Sequence, residues 1–237
     1  MTEFLYYLVV LGSNIIQGIT GFAGTILAMP FAVMLIGIDK SKFILNFLGI
    51  AASIWIVAVN HKMVNKKELK HIVIFMGIGL IAGLFLGRIT APGILIKILP
   101  VIILIVAVRG LLNINSTKTI ENKTILILIL LFSGIVHGMF VIGGPFLVIY
   151  ASQTMKNKGE FRATLSFVWI ILNSVILFSN FEKIFIPEYC IQSIISVIPL
   201  IIGMYIGNKL HNKMSQKFFM ILTFILLILS AVPLFFL

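Results

Sequence analysis

The chain has 237 residues, of which 60% are hydrophobic and 11% are charged, and its mean hydropathy is +1.18. Soluble domains do not reach this hydropathy, so the composition predicts an integral membrane protein. Lys and Arg total 18 against 7 Asp and Glu, but they lie between apolar runs and form no patch, which excludes nucleic acid as a partner. The single cysteine, Cys190, excludes an internal disulfide and a multi-cysteine metal site.

The predicted elements, taken in chain order, are long apolar stretches with few charged side chains. A helix that crosses the hydrocarbon core needs about 20 apolar residues. The stretches close to that length or longer are Phe4–Ile38, Phe43–His61, His71–Gly87, Ile94–Leu112, Thr124–Met155, Ala163–Phe181, Tyr189–Asn208 and Phe218–Leu237. The polar connections between them are short, so no separate soluble domain is expected.

Two of these stretches are too long for one crossing. As a continuous helix, Phe4–Ile38 would run roughly 50 Å, whereas the hydrocarbon core is about 30 Å thick. Glycine and proline, which weaken or interrupt helices, cluster near the middle of both stretches. Each is therefore predicted to be a helix, a break and a second helix. The residues that predict the breaks are Gly18, Gly21, Gly24 and Pro30 in the first and Gly134, Gly138, Gly143, Gly144 and Pro145 in the second.

The sequence also resembles itself at an offset of 120 residues. Without a gap, this offset aligns glycines and several less common residues: Gly18 with Gly138, Gly24 with Gly144, Phe47 with Phe167, Asn60 with Asn180, Gly83 with Gly203, and Gly87 with Gly207. These matches avoid Ile and Leu, whose abundance makes chance coincidence common. They predict a tandem duplication, with a first transmembrane repeat over 1–112 and a second over 113–237.

The positive charges suggest how the repeats are oriented. If each broken segment crosses the membrane once, the two sides carry eight and ten Lys and Arg residues, which is almost no bias. If each enters and returns as a hairpin, the sides carry five and thirteen, as the positive-inside rule favours. The second arrangement has an odd number of segments per repeat and therefore inverts one repeat relative to the other. Eight plain spans in parallel repeats remain the alternative.

The predicted fold is thus an all-α integral membrane protein with two inverted-topology repeats of about five helical segments each. A broken helical hairpin opens each repeat. Irregular backbone within a membrane needs protein or water to satisfy it, and exposed helix N-termini attract anions. We therefore expect both breaks to direct amide groups at one central anion. The candidate substrate-binding residues are Gln17, Gly18, Thr20, Gly21, Phe22, Gly24, Thr25, Asn46, His137, Gly138, Gly143, Gly144, Pro145, Arg162 and Asn173.

Several of these residues have a second interpretation. The glycines could serve close helix packing, which we favour for Gly83, Gly87, Gly203 and Gly207. His137 could donate to an oxyanion, carry a coupling proton or simply bond a neighbouring helix. Lys42 and Arg162, which match across the repeat, are interpreted as snorkelling anchors or as an access funnel for anions. The pair of Ser133 and His137 is a weak signal for catalysis, and no enzyme is expected.

These residues resemble the sulfite exporter TauE/SafE family of probable anion permeases. The resemblance is carried by Gln17, Gly18, Gly21, Phe22, Gly24 and Pro30, by Gly134, His137, Gly138, Gly143, Gly144 and Pro145, and by Phe161-Arg162-Ala163-Thr164. It implies transport of sulfur oxyanions or organosulfonates, such as sulfite or sulfoacetate, or of other small organic anions. We expect alternating access, in which one hairpin-bearing half rocks against the other.

The expected partners are a small anionic solute and the lipid bilayer of a bacterial inner membrane or plasma membrane. No cofactor or metal is expected, and homo-oligomerisation is left open. A membrane assembly or insertion partner that transports nothing, in which the glycines only pack helices, is the alternative function.

Overall fold

The computed structural model describes residues 2–89, 93–112, 122–155 and 157–235. These residues form ten α-helices and two short 3₁₀ turns, with no strand within the described ranges, so the all-α class and the ten predicted helical segments are confirmed. The helices are α1 (Thr2–Thr20), α2 (Ala23–Ile36), α3 (Ile38–Asn60), α4 (Lys66–Ile89), α5 (Gly93–Leu112), α6 (Lys123–Phe140), α7 (Gly144–Thr154), α8 (Lys158–Ser179), α9 (Pro187–Lys213) and α10 (Gln216–Leu234). The predicted connection between α5 and α6 lies outside the described residues over 113–121.

Within the described ranges, five helices are long and apolar enough to cross a membrane: α3 with its following 3₁₀ turn, α4, α6, α8 and α9. Large apolar side chains project outward from them. On α4, the side chains 46–68% exposed follow helical spacing, namely Ile74, Ile78, Ile81 and Phe85. Such a stripe is unfavourable in water and favourable in lipid. The chain is therefore a multi-pass membrane protein.

Both predicted breaks are present. The first lies between the end of α1 at Thr20 and the start of α2 at Ala23, and the second between the end of α6 at Phe140 and the start of α7 at Gly144. The second arms have 14 and 11 residues, about 21 and 17 Å of helix, which is too short to cross the core. Some residues named for the breaks differ from the prediction, because they lie inside helices without ending them. They are Pro30 in α2, Gly18 in α1, and Gly134 and Gly138 in α6.

Helix bounds in the second half of the chain follow those in the first by about 120 residues. Helix α1 corresponds to α6, α2 to α7, α3 to α8, α4 to α9 and α5 to α10. The 3₁₀ turn His61–Met63 likewise corresponds to Phe181–Phe185. This agreement supports the predicted duplication, while the inverted orientation and the boundary at 112 stay predictions.

The chain divides into two compact units. The first comprises the described residues of Met1–Val64 and Arg162–Met214, and the second those of Asn65–Phe161 and Ser215–Leu237. Each unit therefore combines segments from both predicted repeats.

In the first unit, α1 packs closely on α9 through glycine. A Cβ atom on Gly18 would lie 3.0 Å from Gly207 Cα, and one on Gly203 would lie 2.7 Å from Leu11 O. Because these neighbours are backbone atoms, they cannot move aside cheaply. The glycines allow the two helix backbones to approach, as small residues do in membranes.

In the second unit, α4 packs on α6 in the same way. A Cβ atom on Gly138 would lie 2.5 Å from Leu80 O, and Cβ atoms on Gly79, Gly83 and Gly134 would overlap backbone carbonyls of the facing helix. The packing role is thus confirmed for Gly83, and in the first unit for Gly203 and Gly207. Gly87 makes only a loose approach, 3.6 Å from Met139 Cα.

The two glycine contacts differ in register by one helical turn. Gly203 faces Leu11 as Gly79 faces Leu131, although the 120-residue offset pairs Gly203 with Gly83. Residues of α9 that make equivalent contacts to residues of α4 are instead 124 positions further along the chain. At the break end of this interface, Asn208 on α9 therefore takes the place that Leu84 takes on α4.

Candidate functional site

The first break is closed by side chains of α1. Gly21 has φ +82°, a left-handed conformation that glycine adopts without a Cβ clash. The Thr20 hydroxyl oxygen accepts hydrogen bonds from the N–H groups of Phe22 at 3.3 Å and Ala23 at 3.1 Å. The Gln17 Oε1 accepts from the N–H of Gly24 at 2.9 Å.

These bonds change the expected role of the amide groups. At a helix N-terminus the unpaired N–H groups would attract an anion. Here the N–H groups of Phe22, Ala23 and Gly24 already donate to the chain's own side chains, and that of Gly21 donates to Gln17 O at 2.8 Å. The amides of residues 21–24 are therefore not the free donors that the sequence suggested.

The second break has a corresponding arrangement. Val141 takes the left-handed conformation, with φ 61°, and its N–H donates to His137 O at 2.8 Å. The N–H of Gly143 donates to His137 Nδ1 at 3.3 Å, as that of Gly24 does to Gln17 in the first break. Because Nδ1 accepts, the proton of a neutral His137 ring lies on Nε2.

Ser133 holds the same turn from the other side. Its hydroxyl donates to Gly143 O at 2.7 Å, while His137 accepts from the N–H of that residue. Both side chains thus bind the backbone of the break, and the Ser133 proton is directed at a carbonyl oxygen. The two side chains therefore clamp the backbone of the second break.

Both second arms begin at or beside a glycine of the break. Helix α7 begins at Gly144, with Pro145 in its first turn, where its missing N–H costs nothing. Helix α2 begins at Ala23, one residue before Gly24. Phe22, Gly143, Gly144 and Pro145 are all buried.

Arg162 is the charged residue that lies against the first break. A Cβ atom on Gly21 would lie 3.0 Å from both the Cγ and the carbonyl oxygen of Arg162. Arg162 is 1% exposed and is the fifth residue of α8, which begins at Lys158. A snorkelling anchor would hold its guanidinium at an interface, so the anchor interpretation of Arg162 is wrong.

The partner of Arg162 is neutral. Its Nη1 and Nη2 both donate to Asn208 Oδ1 at 2.9 Å, and its Nε has no hydrogen-bond partner. Among the described residues, Lys40 pairs with Glu188 and Lys183 pairs with Asp39, and neither carboxylate contacts Arg162. No carboxylate in the described part of the chain therefore balances Arg162.

The same unit holds further buried polar side chains. A Cβ on Gly21 would lie 3.2 Å from Ser166 Oγ, a buried oxygen without a hydrogen-bond partner. Asn173 lies further along α8, and its carbonyl oxygen accepts a 3.0 Å hydrogen bond from Nδ2 of Asn46 on α3. The Oδ1 atom of Asn46 is buried and has no hydrogen-bond partner. The side chain of Asn173 also lies against Gly49 of α3.

The predicted residues thus fall into two groups. The first unit holds Gln17, Gly18, Thr20, Gly21, Phe22, Gly24, Thr25, Asn46, Arg162 and Asn173, and the second holds His137, Gly138, Gly143, Gly144 and Pro145. Clusters of three or more His, Cys, Asp or Glu residues able to hold a metal ion are not found within the described ranges.

A family model described as sulfite exporter TauE/SafE matches residues 6–234 of the 237. The chain belongs to the TauE/SafE family. No curated protein and no solved structure gave a significant match. Membership explains the multi-pass membrane helices and identifies the chain as a permease of an anion exporter family.

Asn208 and His211 contact Arg162 and the end of α1 in this TauE/SafE protein, although the sequence did not indicate either residue. Both lie on α9, where Asn208 holds Arg162 and His211 Nδ1 contacts Ile19 O at 2.8 Å near the end of α1. Because a carbonyl oxygen only accepts, His211 donates from Nδ1. The only hint in the sequence is that polar residues follow Gly203 and Gly207 directly. That hint becomes informative only once the packing of α9 on α1 is known.

Proposed function

We propose that this chain is a permease that moves small anions across a cell membrane by alternating access. Sulfur oxyanions and organosulfonates, such as sulfite or sulfoacetate, are the proposed substrates, following the family. The membrane is proposed to be a bacterial inner membrane or a plasma membrane. The observation that carries the proposal is the buried guanidinium of Arg162, which has no carboxylate partner among the described residues.

A buried charge without a counter-charge is costly, because the lost hydration must be replaced. Asn208 supplies one acceptor to Arg162, and the Nε donor is left over. An oxyanion would supply both the missing negative charge and further acceptors, and charge-assisted bonds from arginine to such groups are strong. We therefore assign the binding of the anion chiefly to Arg162, with the Ser166 hydroxyl as an additional donor.

The broken hairpin shapes this site. Gly21 brings the backbone against Arg162, and Thr20 and Gln17 hold the turn by capping α2. In the proposal, Phe22, Gly24 and Thr25 line the site from α2, and Asn46 and Asn173 contribute amide groups from α3 and α8. The second break, around His137, Gly138, Gly143, Gly144 and Pro145, is proposed to serve the same transport cycle.

The test is anion uptake into proteoliposomes together with thermal unfolding in detergent. For Arg162→Gln, we expect sulfite and sulfoacetate to lose about 100-fold or more in apparent affinity. Without anion, the melting temperature of this variant should hold or rise, because an unbalanced buried charge is removed. Arg88→Gln, which alters an exposed arginine, is the control. Unchanged anion affinity in Arg162→Gln would remove the proposed site.

The inverted topology belongs to the same proposal. It locates the α3–α4, α7–α8 and α9–α10 connections in the cytoplasm and both termini outside. Single cysteines in place of the exposed residues Glu3 and Asp39, which flank α1 and α2, would test it with an impermeant thiol reagent in a Cys190→Ser background. Labelling of the two from opposite sides would contradict the hairpin arrangement.

A further inference from the structure

Asn208 binds the guanidinium of Arg162 through a neutral amide oxygen, so the positive charge of Arg162 is not cancelled. One oxygen, Asn208 Oδ1, accepts from both terminal nitrogens of Arg162 at 2.9 Å. This fixes the guanidinium at its end and leaves Nε unpartnered. A carboxylate at the same place would accept the same bonds but would cancel the positive charge.

Acidic residues of the first unit lie away from this contact. Asp39 and Glu188 form ion pairs with Lys183 and Lys40 near the first turns of α3 and α9, whereas Asn208 lies near the last turns of α9. Glu3 is in the first turn of α1, at the opposite end from the break, and Glu182 is in the 3₁₀ turn Phe181–Phe185 beyond the end of α8. On α8 itself, Glu160 accepts a hydrogen bond from Asn65 and precedes Arg162 by two residues, a spacing that turns the two side chains apart.

Helix packing alone does not require an asparagine at this position. The corresponding place in the α4–α6 contact is taken by Leu84, and that interface is as close as the one between α1 and α9. The polar side chain at position 208 is therefore explained by its hydrogen bonds with Arg162. Asn208 is also only partly buried, so the contact is not a sealed core bond.

We infer that Asn208 is the positioning residue that keeps Arg162 oriented and fully charged, and that it thereby makes the proposed site selective for anions. The inference rests on the proposed anion transport. An amide orients the guanidinium without competing with the substrate as an anion. A carboxylate at 208 would act as a built-in competitor that no sulfite or sulfonate could readily displace.

The experiment compares Asn208→Asp with Asn212→Asp, which makes the same chemical change at an exposed site one turn further along α9. Apparent KM for sulfite and sulfoacetate is measured in proteoliposomes, and the melting shift produced by each anion is measured in detergent. We expect Asn208→Asp to raise KM about 100-fold and to abolish the anion-dependent shift, while its melting temperature without anion is equal or higher. Asn212→Asp should stay within about threefold of wild type.

Two more variants keep the test decisive. Asn208→Glu is the second carboxylate, used if Asn208→Asp yields no folded protein, and Asn208→Ser retains a neutral acceptor and should keep most of the anion effect. An anion response retained in a folded carboxylate variant would overturn the role of Asn208. So would an equal loss in Asn208→Ser and Asn208→Asp. Absence of any anion response in the wild type would instead overturn the transport proposal and this inference with it.

Discussion

The backbone N–H of Gly24 donates a 2.9 Å hydrogen bond to Oε1 of Gln17, which joins the start of α2 to the last turns of α1. Both residues are buried. A Cβ atom on Gly24 would lie 2.7 Å from Cβ of Gln17, so the two positions are also packed together. The side chain of Gln17 thus reaches across the hairpin and adds to the bonds that Thr20 makes at the same break.

Replacing Gln17 tests how much this bond contributes. Gln17→Leu is expected to destabilise the protein by about 1–3 kcal/mol, because it leaves the buried N–H of Gly24 without an acceptor. Gln17→Glu keeps an oxygen at that place and should lose less. Thermal unfolding of the purified protein in detergent measures both. A Gln17→Leu variant as stable as the wild type would show that water or another group satisfies this amide.

In the second break, His137 accepts a backbone hydrogen bond as Gln17 does in the first. Its Nδ1 accepts from the N–H of Gly143, so a glutamine oxygen at the same position should replace it. His137→Gln is therefore expected to melt within a few degrees of wild type, whereas His137→Leu should lose about 1–3 kcal/mol. Equal losses in the two variants would mean that the ring fills space rather than accepts a bond. Uptake by His137→Gln then tests separately the proposed part of His137 in transport.

The glycines of α4 supply a pair of substitutions with opposite expected signs. A Cβ atom on Gly79 would overlap the backbone carbonyl of Leu131, while one on Gly77 meets nothing within 4 Å. Gly79→Ala should therefore cost about 1–3 kcal/mol through overpacking. Gly77→Ala should stabilise by up to about 1 kcal/mol, since alanine favours helix over glycine. Thermal unfolding of the two variants side by side measures the difference, and equal shifts would contradict the close α4–α6 contact.

The breaks could be predicted from the sequence because their causes are local. Glycine clusters near residues 21 and 143 lie in apolar stretches too long for one span, and length and composition together are enough. The same reasoning assigns Pro30 to the first break, yet α2 continues through it. Composition therefore located the interruption without giving its ends.

The partners of Arg162 could not be predicted because they depend on tertiary packing. Asn208 is 46 residues further along the chain, on a helix whose register differs by one turn from that of its counterpart α4. A gapless alignment of the repeats cannot detect such a shift. The sequence indicated Arg162 as a candidate, but its depth in the unit became visible only when α8 was placed against the first break.

Gly21 and Gly37 allow backbone strain to be separated from contact with Arg162. Both have positive φ, +82° and +80°, so alanine at either position is strained by about 1–3 kcal/mol. A Cβ on Gly37 meets nothing within 4 Å, whereas one on Gly21 would press on the side chain and backbone of Arg162. Both Gly21→Ala and Gly37→Ala should therefore lower the melting temperature.

The anion response should distinguish these two variants. Displacing Arg162 by a few tenths of an ångström misplaces a charged group in the proposed site, and small misplacements of such groups are costly. We expect Gly21→Ala to lose about tenfold or more in apparent affinity for sulfite and sulfoacetate, measured by uptake into proteoliposomes, and Gly37→Ala to keep its affinity. If both variants lose affinity equally, the effect comes from backbone strain in the hairpin. The contact between Gly21 and Arg162 would then have no special part in anion binding.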